Sequence, residues 1–184
     1  MIFRAVEDAD LILRVQKGDI EAFNHLVSRW EKRVYNYLLR LTSSPEDSLD
    51  LSQDVFLKAY QNIRKLDDTA RFGPWLFRIA HNEAYSLFRK RKPESGIDEC
   101  GVAEREAAPG ASPELRIAVS AALNRLNPEQ REAVVLKVYQ GFKFDEMAEI
   151  LGCPVSTIKS RLYTALELMK VELAPAANGG RGIR

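Results

Sequence analysis

The stretch Phe72–Lys92, FGPWLFRIAHNEAYSLFRKRK, decides how the chain reads. From Pro74 onward the spacing predicts a helix, because Leu76, Ile79, Ala80, Ala84, Leu87 and Phe88 recur three and four residues apart, as a buried stripe does. Arg78, Asn82, Tyr85 and Arg89 fall on another face at the same spacing, and the segment closes on Arg89, Lys90, Arg91 and Lys92. One side of this helix is core. The other offers cations for phosphates, an amide for a base edge and a ring to stack on an unpaired base. A solvated helix end, where cations favour the dipole, has the same composition. The rest of the chain decides between the two.

The 184 residues can hold one domain or two small ones, and 46% hydrophobic content suffices for a core in each. No apolar run approaches a membrane span, and the start of the chain lacks a signal-peptide pattern, so a cytosolic protein without membrane contact is expected. Cys100 and Cys153 stand far apart, with only His25 and His81 as further soft ligands, which indicates neither a disulfide nor a metal site. The net charge of +1 hides a pattern. Residues 1–92 hold 16 Lys/Arg against 13 Asp/Glu (+3), residues 93–112 hold 1 against 5 (−4), and residues 113–184 hold 10 against 8 (+2). Two mildly basic blocks flank an acidic spacer.

Upstream of the opening stretch, Asp10–Lys17 reads as a short amphipathic helix ended by Gly18. Asp19 can cap a long helix to about Leu41. Ser44-Pro45-Glu46-Asp47 starts a third helix to about Lys65, expected to bury Leu49, Ser52, Phe56, Ala59 and Ile63. Asp50, Gln53, Asp54 and Leu57 should lie on its outer surface. With the loop Asp67–Gly73 and the Pro74 helix, residues 1–92 form a four-helix domain. Residues 93–112, rich in Pro, Gly, Ser, Ala and acids, read as a linker.

Beyond it, Ser112-Pro113 and Asn127-Pro128 open two further helices, Asn127 with Gln130 placed to complete a capping box. The Asn127 helix carries Ala133, Val134, Leu136, Val138 and Tyr139 and stops at Gly141. Residues 144–162 then have the spacing of a helix-turn-helix: Ala148 where two helices cross, Gly152 in the turn, Ile158 pinning the second helix. Ser156 should cap that helix, which runs to about Leu173 ahead of a frayed tail. Ile158, Leu162, Ala165, Leu166 and Met169 should face inward; Thr157, Lys159, Ser160, Arg161 and Tyr163 project, as residues that reach base edges in a major groove do.

Segments in this order resemble an extracytoplasmic-function (ECF) sigma factor of the sigma-70 family. DLSQDVFLKAY, from Asp50 to Tyr60, looks like region 2.2; WLFRIAHNEA, from Trp75 to Ala84, like regions 2.3 and 2.4; FDEMAEILGCPVSTIKSRLYTALELMK like region 4.2. The likeness covers about residues 10–173. It implies an all-α chain: a region 2 domain over 1–92, a linker over 93–112 and a region 4 domain over 113–184. It implies binding to core RNA polymerase, recognition of promoter −10 and −35 elements, promoter melting, and no cofactor. Asp50, Gln53, Asp54 and Leu57 would meet the β′ clamp helices, and region 4 the β flap. The Asp67–Pro74 loop would capture a flipped base beside Asn82, with Phe72 and Trp75 as walls or supports and Tyr85 near; Arg78, Arg89, Lys90 and Arg91 would hold phosphates. Ser156, Thr157, Lys159, Ser160, Arg161 and Tyr163 would meet the −35 element. Here the chain departs from the pattern, with Thr164 and Leu166 where the family often has Arg. An anti-sigma factor is a further implied partner, and the free chain would be a monomer. In the linker, a charge of −4 suits basic surfaces built for nucleic acid.

A dimeric repressor or activator would use the same helix-turn-helix, but no heptad seam or spare apolar face suggests a dimer interface. An enzyme is disfavoured by the absence of a glycine-rich phosphate loop or a clustered acid–base pair.

Overall fold

The computed structural model describes residues 7–91 and 112–178, with side chains to residue 174. The linker read over 93–112 lies outside the described residues except for Ser112, as do Cys100 and the end of the tail. Among the described residues there are eight α-helices and no strand, arranged in two helical units.

The first unit comprises α1 (Asp8–Gln16), α2 (Ile20–Thr42), α3 (Pro45–Asn62) and α4 (Phe72–Arg91), with 3₁₀ turns at Ile63–Lys65 and Thr69–Arg71 between α3 and α4. Its helix starts follow capping chemistry. Asp19 accepts a hydrogen bond from the Ala22 amide at 3.0 Å and Ser44 one from the Asp47 amide at 3.2 Å. Gly18, at φ 98°, takes the turn after α1 in a conformation that favours glycine. Leu11 and Ile12 of α1, Leu26, Val34, Tyr37 and Leu38 of α2, and Leu76, Phe77, Ala80 and Ala84 of α4 fill the core. Each large side chain among them contributes roughly 1.5–3 kcal/mol on burial.

Two expectations are corrected here. Leu49 is not core but 55% exposed, and Leu51 and Val55 are buried in its place. The buried stripe of α3 (Ser48, Leu51, Ser52, Val55, Phe56, Ala59) is centred so that Leu49, one step of about 100° past Ser48, falls beyond its edge. α4 begins at Phe72 rather than Pro74, because Asp68 caps the Thr69–Arg71 turn through the Ala70 amide (3.0 Å) and that turn runs directly into the helix. At its far end Arg91 makes two 2.7 Å bonds to the Asp47 carboxylate, joining the end of α4 to the start of α3.

The second unit comprises α5 (Pro113–Arg125), α6 (Pro128–Val134), a π-helical turn (Val135–Tyr139), α7 (Phe144–Leu151) and α8 (Val155–Asn178). Ser112 caps α5, and the Asn127–Gln130 capping box forms with bonds of 2.8 and 3.3 Å. α5 and α6 pack on α8. The π turn, in which the Gln140 amide donates to the Val135 carbonyl at 3.0 Å, inserts a residue into the helical register. Val135 is therefore buried and Val138 is exposed, against the regular spacing read from the sequence. Gly152, at φ 63°, turns the chain from α7 into α8. α8 starts at Val155, so Ser156 lies in its first turn instead of capping it, and the helix continues past Leu173 to Asn178.

The Arg91 guanidinium, followed by the Ser44 hydroxyl, holds the Asp47 carboxyl below its ordinary value against the opposing effect of burial. A depressed carboxyl stabilises the fold above its ordinary pKa of 3.8, and this contribution is lost as pH falls through the lower folded value. Asp47→Asn should cost less than about 1 kcal/mol at pH 7, since Arg91 is largely exposed. Urea unfolding followed by circular dichroism from neutral to strongly acidic pH should show the gap from wild type closing only below that range.

Candidate nucleic-acid and protein-docking surfaces

The C-terminal half of α3 and the N-terminal half of α4 enclose a cleft of about 270 Å³. Lys58, Asn62 and Lys65 form one wall, and Trp75, Ile79 and Asn82 the other. Lys65 Nζ donates to Asn62 Oδ1 at 2.9 Å, and Lys58 pairs with Glu83 at the rim. The cleft joins an aromatic ring, two amides and two cations at a scale that suits one planar base rather than a large cofactor. Sequence reasoning pointed to Trp75 and Asn82 but missed Lys58, Asn62 and Lys65. Their spacing of four and then three residues, along α3 and into the 3₁₀ turn after it, is the signal that could have found them.

Phe72 does not wall this cleft. It is 2% exposed, edge-on to Trp30 with ring centroids 5.6 Å apart, and 5.8 Å from Trp75, so it can only support. Tyr85 is half-buried between His81 (4.4 Å) and Phe88 (5.7 Å) on its own helix. Arg78, Arg89 and Lys90 are exposed and pair with no acid among the described residues. Arg91, expected beside them as a phosphate contact, spends its fork on Asp47.

A second, larger depression of about 530 Å³ lies between α2 and α3. Val27, Tyr35, Leu49 and Phe56 give it apolar walls, and Gln53 stands at its side. Asp50, Gln53, Asp54 and Leu57 are all exposed, as expected, with Leu57 at 56%. Leu49 belongs with them. An exposed leucine beside an apolar groove is the composition of a protein-docking face rather than of plain solvated helix.

On α8, Ser156, Lys159, Ser160 and Tyr163 are exposed, Tyr163 at 58%, while Thr157 is half-buried. Lys159 Nζ sits 5.3 Å from the Phe144 ring centroid, and Lys137 Nζ 4.7 Å from it, so two cations gather on one ring at the start of α7. Arg161 is turned away from this group. Its Nη2 meets Glu129 of α6 at 2.8 Å and its Nη1 approaches the Cys153 sulfur at 3.6 Å. Arg161, expected as a −35 contact, is half-buried and in this arrangement braces α8 against α6. Burial, ahead of the opposing Arg161 charge, pushes the Cys153 thiol up. Leu166 is 39% exposed, not inward-facing, and shares the surface with Thr164.

Comparison with known proteins bears on both units. Residues 26–94 match the family model for sigma-70 region 2, and residues 116–169 that for sigma-70 region 4. The chain is 34% identical over 182 residues to an ECF RNA polymerase sigma-E factor of Escherichia coli, covering 91% of this chain and 95% of that one. The Haemophilus influenzae sigma-E factor is 32% identical over 185 residues, covering 91% and 96%. Among solved structures, the sigma factor RpoE in complex with the anti-sigma factor NepR from Bartonella quintana aligns with a TM-score of 0.72 at 31% identity, over 83% of this chain and 96% of that chain. CnrH in complex with the cytosolic domain of CnrY aligns at 0.70 with 26% identity, over 91% and 97%.

Glu129→Gln and Arg161→Ala should each lower the stability of the second unit by about 0.5–1 kcal/mol and should be non-additive when combined. Lys159→Ala, on the exposed face, should leave thermal unfolding within about 0.5 kcal/mol of wild type. A double-mutant cycle read by thermal denaturation checks both statements.

Proposed function

Because this chain belongs to the ECF sigma factors of the sigma-70 family, we propose that its two helical units divide promoter recognition between the surfaces described above. The chain is an alternative sigma factor: it binds core RNA polymerase and directs it to promoters, and the polymerase makes the phosphodiester bonds. No described helix is long and apolar enough to cross a membrane, and work alongside the polymerase would place the chain in the cytoplasm.

The observation that carries the residue-level reading is the cleft between α3 and α4. Its ring, amides and cations suit a base taken out of the non-template strand, with Trp75 offering a stacking face and Asn82 an edge-reading amide. Extruding a base costs a few kcal/mol, so melting goes forward only where a pocket returns that energy. Arg78, Arg89 and Lys90, free of acid partners among the described residues, would hold the adjoining phosphates without reading sequence.

The groove of Val27, Tyr35, Leu49 and Phe56, bordered by Asp50, Gln53, Asp54 and Leu57, would take the β′ clamp helices: apolar side chains in the groove, polar contacts around it. On α8, Ser156, Lys159, Ser160 and Tyr163 would face the −35 element, with Thr157 at the margin and Arg161 fixing the helix from behind. Relatives of this fold are found with an anti-sigma factor bound, and such a partner would restrain this chain by covering its polymerase-binding faces.

In vitro transcription with the purified chain and core polymerase on genomic DNA, sequencing transcript 5′ ends, tests the function. Starts that depend on the chain and share two upstream elements are expected; their absence would overturn it. Asn82→Ala should cut open-complex formation at such a promoter about tenfold or more while leaving core binding unchanged. Leu49→Asp should do the reverse, weakening core binding about tenfold in a sedimentation or fluorescence titration. Lys159→Ala should weaken promoter binding and flatten its salt dependence if the lost contact is to phosphate.

A further inference from the structure

α1 contributes no residue to any of these surfaces, yet both of its ends lead to the Trp75–Asn82 cleft. At its N-terminal end the Asp8 carboxylate accepts hydrogen bonds from Trp30 Nε1 at 2.9 Å and from Arg29 Nη1 at 2.7 Å. Trp30 meets Phe72 edge-on, and Phe72 lies against Trp75, the aromatic wall. At its C-terminal end Gln16 Nε2 donates to two carbonyls, of Ile63 at 3.0 Å and of Leu66 at 2.9 Å. These carbonyls close α3 and open the connection to α4, and they bracket the segment that carries Lys65 and adjoins Asn62, the opposite wall. The Ile63 carbonyl already accepts the Leu66 amide at 3.1 Å within the 3₁₀ turn, and the half-buried Gln16 amide, by bridging it to the Leu66 carbonyl, adds a long-range tie that fixes the backbone between.

We infer that α1 is a positioning element for strand capture, with Gln16 holding the Asn62–Lys65 wall and Asp8, through Trp30 and Phe72, holding Trp75. The inference rests on reading the cleft as the base pocket. A pocket whose walls are already set takes up an extruded base without ordering them at the moment of capture. Loosening either end of α1 therefore shows in single-strand affinity and not in attachment to the polymerase, which uses the α2–α3 groove.

The test measures holoenzyme binding to a single-stranded oligodeoxynucleotide, the non-template −10 segment of a promoter mapped by the transcription experiment. Gln16→Met keeps the bulk and removes the donor; it should raise the strand Kd about five- to tenfold with core affinity unchanged. Gln16→Lys, whose ammonium can again donate to both carbonyls, should return the Kd to within about twofold of wild type. A folded Gln16→Met protein that binds the strand as wild type does, or that loses core affinity in parallel, overturns the inference. If Gln16→Met fails to fold, Trp30→Phe decides alone, since it keeps a ring against Phe72 but drops the bond to Asp8. A rise of about threefold in strand Kd supports the inference, and wild-type affinity overturns it. Wild-type holoenzyme that ignores the strand while initiating at the promoter is a different result, and it overturns the base-pocket reading itself.

Discussion

The first unit depends on one constraint: α4 must bury an aromatic face against α2. Phe77 meets Tyr37 at 5.1 Å and Trp30 at 6.4 Å, and Phe72 meets Trp30 at 5.6 Å. The Arg33 guanidinium lies 4.6 Å from the Trp30 ring centroid, where desolvation lowers its pKa but leaves a cation over a π face. Once Leu76, Phe77, Ala80 and Ala84 are turned inward, helical geometry leaves Arg78, Asn82 and Arg89 no direction but outward. The exposed polar face of α4 is thus the complement of the core.

A second sorting acts on charge. Both α4 and α8 carry an arginine that the fold uses for itself: Arg91 on Asp47 and Arg161 on Glu129. In each case the guanidinium links two helices, the start of α3 to the end of α4, or α6 to α8. A bidentate or braced arginine gives orientation more than stability at such exposed sites. On these two helices Arg78, Arg89 and Lys90 of α4, and Lys159 of α8 beside the Phe144 ring, pair with no acid among the described residues. Composition counts all of these alike, but only the unpaired ones can release counterions from DNA at little cost.

The cleft and the groove sit on opposite uses of the same helix. Along α3 and the 3₁₀ turn after it, Lys58, Asn62 and Lys65 line the cleft, while Leu49 and Gln53 line the groove toward α2. A helix that carries a core stripe between a cleft edge and a groove edge cannot shift its register without moving both. The groove and the cleft are thus tied mechanically through α3. α1 is anchored to the connection after α3 by Gln16 and to α2 through Trp30.

Sequence alone determined the helices, their caps (Ser156 excepted) and the two-unit plan, because periodicity and capping are local. Asp19, Ser44, Ser112 and the Asn127–Gln130 pair cap where they were read, and the stripes of Leu11 and Ile12 and of Ile158, Leu162 and Ala165 bury as read. The outward placement of Asn82 and of Asp50, Gln53, Asp54 and Leu57 was legible for the same reason. What tertiary structure decided was everything set by a partner distant in the chain. Leu49 and Leu166 lie at the edges of their stripes, and only the packing neighbour determines whether an edge is covered. Val138 is exposed because a π turn adds a residue that no hydrophobic period announces. Phe72 went to the core, Arg91 to Asp47 and Arg161 to Glu129 because each met an element far away in sequence, and side-chain chemistry does not say which of its eligible partners will be within reach.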